Sequence, residues 1–159
     1  MELQSAGLGG IAGIAIWELG KQGFGIITKK VIDTRDLNRK LLREDIEIIA
    51  DLVSEIHELS VSYYKTAFSS EKAQDLSQQI KSKSKTVGMK IYSTNIQLKL
   101  TKQNIIDINI WTVFKQRTTE YLDVNRNDVW IDTDPRILGI YKSTFMLYKI
   151  LTQARYKSI

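Results

Sequence analysis

The chain has 159 residues, 43% of them hydrophobic and 26% charged, with a formal net charge of +5 and no cysteine. That length accommodates one compact domain and a short appendage but excludes two full domains, and the composition is that of a folding chain, not a disordered tail. The absence of cysteine excludes a disulfide scaffold, a thiolate metal site and a cysteine nucleophile, and fits a reducing, intracellular body.

The first element is a glycine-studded apolar stretch from Ala6 to Ile27, ending at Thr28-Lys29-Lys30. Within it Gly7 to Trp17 carries no charge, and Glu18 and Lys21 then interrupt before Phe24-Gly25-Ile26-Ile27. A lone membrane span needs about 20 apolar residues, and a charge near its centre costs about 2.5–3.5 kcal/mol. Glu18 and Lys21 lie three apart and share a helix face, while Gly9 and Gly13 have the small-xxx-small spacing that lets helices touch. The segment is therefore expected to enter a bilayer as one helix of a homo-oligomeric ring. In that ring Gly9, Gly13, Trp17, Glu18, Lys21 and Phe24 are the pore and membrane residues, with the charged pair turned from lipid. Lys29, Lys30, Arg35, Arg39 and Lys40 follow it and only Glu2 precedes it, so the body is expected on the cytoplasmic side. A buried or interfacial helix of a soluble bundle is the alternative.

Residues 33–159 form the second unit, after the membrane or oligomerisation helix of 1–32. From Leu37 to Phe68 the apolar positions Leu42, Ile46, Ile49, Leu52, Val53, Ile56, Leu59, Tyr63 and Ala67 recur at spacings of three and four, predicting a long amphipathic helix capped by Asp33 or Thr34. Ser69-Ser70 before Glu71 ends it and opens the next, giving an antiparallel hairpin. The third segment carries Ala73, Leu76, Ile80, Val87 and Ile91, with a kink or break expected at Gly88. Ile96, Leu98 and Leu100 alternate like a strand, but helical neighbours favour helix. Ile105 to Tyr121 is apolar over most of its circumference and is expected to be the central helix. Asp134-Pro135 starts a last helix carrying Ile137, Ile140, Tyr141, Phe145, Tyr148, Ile150 and Leu151. The fold class is thus all-α: a transmembrane-like helix followed by an antiparallel helical bundle.

Charge is unevenly placed. Leu76 to Ile106 holds no Asp or Glu but contains Lys81, Lys83, Lys85, Lys90, Lys99 and Lys102. Lys81, Lys83, Lys85 and Lys90 are the candidate nucleic-acid-binding residues, with solvated lysine faces as the plainer reading. His57 is the single histidine, flanking the apolar stripe, which leaves no imidazole-rich metal site. Asp123, Asp128, Asp132 and Asp134 cluster without the spacing of a calcium loop, so capping and solvation are expected of them. Tyr63, Tyr64, Tyr92, Trp111, Tyr121, Trp130, Tyr141 and Tyr148 supply aromatics suited to core packing or base stacking. No phosphate-cradling glycine motif lies between strand and helix, and no cofactor is called for.

A glycine-rich hydrophobic helix followed by a small basic helical bundle resembles the membrane-pore accessory proteins of RNA-targeting CRISPR systems, and more broadly small membrane effectors of bacterial antiviral defence. The resemblance is one of layout over the whole chain. It implies a pore-forming homo-oligomer in the bacterial inner membrane, partnered by the lipid bilayer and by RNA or an RNA-guided complex. It also implies a HEPN-like bundle, whose signature pairs an arginine with a histidine four to six residues later. Arg155 is the matching arginine, but Tyr156-Lys157-Ser158-Ile159 supplies no histidine. A ribonuclease site is therefore not carried over, and the expectation is a non-enzymatic protein, with a soluble adaptor or RNA-binding bundle as the alternative.

Overall fold

The computed structural model describes residues 8–101, 105–126 and 128–157, with side chains described for 35–101, 105–126 and 128–155. Among the described residues the chain is all helix: α1 (Leu8–Tyr64), α2 (Glu71–Leu100), α3 (Ile108–Thr119) and α4 (Pro135–Lys157). The chain divides into two units, Met1–Lys40 and Leu41–Ile159. No described helix is long and apolar enough to cross a membrane.

In the second unit, one repeating pattern builds three of the helices. On α1 a row of buried residues runs through Leu42, Ile46, Ile49, Val53, Ile56, Ser60 and Tyr63; on α2 a similar row runs through Ala73, Ser77, Ile80, Ser84, Val87, Ile91, Thr94 and Leu98. Both rows alternate steps of four and three, the spacing that keeps a narrow seam facing a partner helix. The ion pairs Lys83 to Glu55 and Lys90 to Asp45 run in opposite sequence directions, so α2 is antiparallel to this part of α1. On α4 the seam is Ile137, Ile140, Thr144, Leu147, Leu151 and Ala154. His57 to Thr144, Ala50 to Tyr148 and Glu47 to Arg155 lay α4 antiparallel to the same stretch of α1.

Local chemistry sets the helix starts. Ser70 holds an extended conformation and its hydroxyl accepts from the Ala73 amide at 3.1 Å, while Glu71 stands in the positive first turn of α2. Asp107 caps α3 by accepting from Asn109, and Asp134 caps α4 by accepting from Arg136 at 2.8 Å, with Pro135 first in the helix. Asn95 of α2 meets the segment before α3 from both sides: its amide donates to the Ile106 carbonyl at 2.9 Å and its oxygen accepts the Ile106 amide at 2.7 Å.

Four expectations need correction. No cap interrupts the chain at Asp33 or Thr34, because α1 continues through them. Likewise α2 runs through Gly88 without a break. The stretch 91–100, by contrast, is helical as expected: its alternation dissolves on the helix surface, where Ile91, Thr94 and Leu98 face inward while Ile96 and Leu100 are exposed. The segment expected as the central helix is the twelve-residue α3, which buries only Trp111, Phe114 and Thr118 and leaves Ile105, Ile108 and Val113 exposed. On α4 the inward seam passes through Thr144 and Leu147, so Tyr141 and Phe145 point outward.

Candidate functional site: a basic groove between α2 and α3

The lysine run is acid-free in sequence but not in space. Lys81 reaches Asp123 at 2.5 Å, Lys83 is paired with Glu55, and Lys90 lies 3.4 Å from Asp45. Each acid comes from a segment more than 25 residues away in the chain. Three of the four candidate lysines are therefore neutralised by the body itself, and such exposed pairs contribute about 0–1 kcal/mol each. Lys85 is different: it is exposed and has no ion-pair partner among the described residues.

Lys85 lines a groove of about 700 Å³ between α2 and α3, together with Lys81, Ser84, Gly88, Met89, Tyr92, Trp111, Lys115, Thr119 and Asp123. The antiparallel passage of the two helices orders these residues along it. Lys81 and Asp123 close one end, Lys85 and Lys115 face the middle, and Trp111 lies against Gly88 beside Met89 and Tyr92. A side-chain carbon on Gly88 would stand 3.6 Å from the indole Nε1 of Trp111, which places that nitrogen against the α2 backbone. Lys115, like Lys85, has no ion-pair partner among the described residues. Ser84 is 2% exposed, and its hydroxyl has no hydrogen-bond partner. Tyr92, by contrast, is 71% exposed.

The groove thus joins two uncompensated cations, a buried hydroxyl lacking an acceptor, and aromatic and thioether surface. Its volume falls within the usual range for small-ligand sites, about 300–1,000 Å³. Of the residues in it, the lysine run pointed to Lys81 and Lys85, and the aromatic inventory to Tyr92 and Trp111. Ser84 and Lys115 were missed: Ser84 sits at a seam position where serine reads as a gap in the apolar row, and Lys115 joins the site only through the packing of α3 on α2.

A second polar centre is structural. Arg126 donates to the carbonyls of Tyr63, Tyr64, Thr66 and Asp128 at 2.5–3.2 Å, and its guanidinium lies 4.6 Å from the centre of the Tyr63 ring. Tyr64 stacks on Trp130 at 4.3 Å, and its hydroxyl donates to Thr118. Burial drives the Tyr64 phenol far above its ordinary value, holding it neutral. Tyr63, Tyr64, Trp111 and Trp130 are core in this way, Tyr121 and Tyr148 pack partly buried against it, and Tyr92 and Tyr141 are exposed.

His57 is half-buried against the Tyr141 ring at 4.8 Å, with Nδ1 3.0 Å from the Thr144 hydroxyl. That hydroxyl donates to the Ile140 carbonyl, so Nδ1 carries the proton and donates to Thr144. Desolvation lowers the His57 pKa, with Glu58 acting weakly the other way.

Arg155 is exposed and engaged by Glu47. The acid cluster disperses: Asp123 pairs with Lys81, Asp132 with Lys65, and Asp134 with Arg136. No group of metal-ligating side chains occurs among the described residues. The candidate pore residues Gly9, Gly13, Trp17, Glu18, Lys21 and Phe24 lie outside the residues whose side chains are described. Comparison with family models, curated proteins and solved structures finds no match for this chain.

Proposed function

We propose that this protein is a two-part effector. Its helical body receives an anionic ligand in the α2–α3 groove, and its glycine-studded amino-terminal segment assembles copies of the chain at a bilayer. The observation that carries the first half is the pair Lys85 and Lys115, without ion-pair partners among the described residues, both lining one groove between α2 and α3. Two cations without partners in one groove are an arrangement that an incoming anion stabilises.

The second half is supported by the charge-free run Gly7 to Trp17, its glycine spacing and its basic flank. No described helix is long and apolar enough to cross a membrane, so this assembly depends on several copies sheltering Glu18 and Lys21 together. A pore in the bacterial inner membrane, with the body in the cytoplasm and the groove taking a defence signal, is the setting that the layout favours. Fractionation of a tagged chain with and without residues 1–30 tests it. The full chain should sediment with membranes and cross-link as an oligomer in detergent, and the truncated chain should not. A full chain that purifies as a monomer without detergent overturns the assembly half.

A soluble RNA-binding or adaptor bundle is the second reading, favoured by the same groove. Its signature is an RNA affinity that falls steeply with salt in the chain lacking residues 1–30. A HEPN-type ribonuclease gains no such favour, since Arg155 is held by Glu47.

A further inference from the structure

We infer that the α2–α3 groove is a site for a phosphorylated nucleoside, free or as a unit of single-stranded RNA. Its phosphate lies between Lys85 and Lys115, and its base on Tyr92 and Met89. The inference rests on the anion-receiving reading of the groove above and narrows it to one ligand chemistry.

The phosphate end is defined by what is unpaired. Lys81, Lys83 and Lys90 each have a carboxylate within reach, whereas Lys85 and Lys115 have no ion-pair partner among the described residues and approach the groove from facing helices. Ser84, next to Lys85 on α2, is 98% buried. A helical serine ordinarily turns its hydroxyl back to the carbonyl four residues earlier, as Ser60 does to Ile56 at 2.6 Å. Ser84 makes no such bond and lines the groove instead. Its oxygen has almost no accessible surface, so Ser84 forms part of the groove wall, and the phosphate is held by the two ammonium groups. Lys81, paired with Asp123 at one end, has its charge compensated, which leaves Lys85 and Lys115 as the free cations of the groove.

The base end is defined by exposed apolar surface continuous with those cations. Met89 and Tyr92 stand one and two turns beyond Lys85 on α2, at 58% and 71% exposure. Gly88 presents no side chain there, which leaves the edge of Trp111 as part of the wall. A flat heterocycle covers such a surface, and stacking on an aromatic contributes about 1–3 kcal/mol per base. Size points the same way, because inorganic phosphate would leave most of a cavity of about 700 Å³ unfilled. A duplex would need a long row of free cations, and the body has already paired three of its own.

Calorimetric titration of the full chain with adenosine diphosphate, inorganic pyrophosphate, a single-stranded RNA pentamer and tetraglutamate tests this. Adenosine diphosphate or the pentamer should bind one per chain, at least about tenfold more tightly than pyrophosphate. Whichever of the two binds more tightly identifies the source of the nucleotide. Lys85→Gln and Lys115→Gln should each weaken nucleotide binding about fivefold or more. Tyr92→Ala should weaken nucleotide but not pyrophosphate, and the control Lys83→Gln should change neither. Circular dichroism of each variant separates lost binding from lost folding. Pyrophosphate binding as tightly as the nucleotide, or tetraglutamate binding in its place, overturns the nucleoside assignment while leaving an anion site. No binding of any of the four overturns the assignment and the anion-receiving reading together.

Discussion

Arg126 closes the end of α1 by donating to the carbonyl of Tyr64 at 2.8 Å. The last carbonyls of a helix have no partner within it and carry its negative pole, so one planar cation that satisfies several of them acts on both terms. Replacing Arg126 by Ala should destabilise the body by about 2–4 kcal/mol, through the lost charge-assisted bonds and the carbonyls left unpaired. Arg126→Lys should recover only part of this, because an ammonium lacks the fork that spans the carbonyls of Tyr63, Tyr64 and Thr66. Urea denaturation of the three proteins measures the difference, and equal midpoints would dismiss the capping role.

Gly88→Ala should stabilise the body. The position lies inside α2, where glycine is unfavourable by about 0.5–1 kcal/mol against alanine. The added carbon would meet the Trp111 indole at 3.6 Å, an ordinary van der Waals contact. A rise in melting temperature with unchanged helicity is the expected result. A fall would mean that Trp111 needs the space.

Acid should weaken the fold through His57. Its pKa is lowered in the folded state by burial, so the folded form binds protons less readily than the unfolded chain, whose ordinary value is 6.5. Above pH 6.5 both forms are neutral and the residue adds no pH dependence. Below that, stability declines until the folded-state pKa is also passed. The His57→Gln variant should show a flatter profile between neutrality and the carboxylate range, by comparison of thermal melts with the parent chain. Superimposable profiles would remove His57 as the source.

Paired and unpaired lysines should separate in their effect on anion binding. Lys83→Gln and Lys90→Gln remove exposed ion pairs, so each should alter stability by under about 1 kcal/mol and leave anion binding in place. Lys85→Gln and Lys115→Gln should reduce the salt dependence of binding without altering the melt. If all four act alike on binding, the basic face works as a diffuse field and not through the groove.

The parts of this fold that were legible in sequence are those whose chemistry is local. Ser70 ahead of Glu71 and Asp134 ahead of Pro135 mark helix starts because a cap and the amide it receives lie within three residues. The seam from Leu42 to Tyr63 is legible because a period of 3.5 is visible in any long run. What escaped is non-local. The lysine run looked like a free electrostatic footprint until the acids of distant segments reached it, and no spacing rule links Lys83 to Glu55. Arg126 gave no signal either, since its partners are carbonyls some 60 residues earlier. The apolar wealth around α3 misled in the opposite direction: a short helix has one inward face, and Ile108 and Val113 fall off it.

The doubled bond between Asn95 and the Ile106 backbone ties the start of α3 to α2 through side-chain contact as well as through the chain. One carboxamide imitates the edge of a neighbouring peptide, giving and taking one bond as a strand partner would. The same bond makes Asn95→Asp the substitution that would unfasten it, since a carboxylate can accept from the Ile106 amide but has nothing to give its carbonyl.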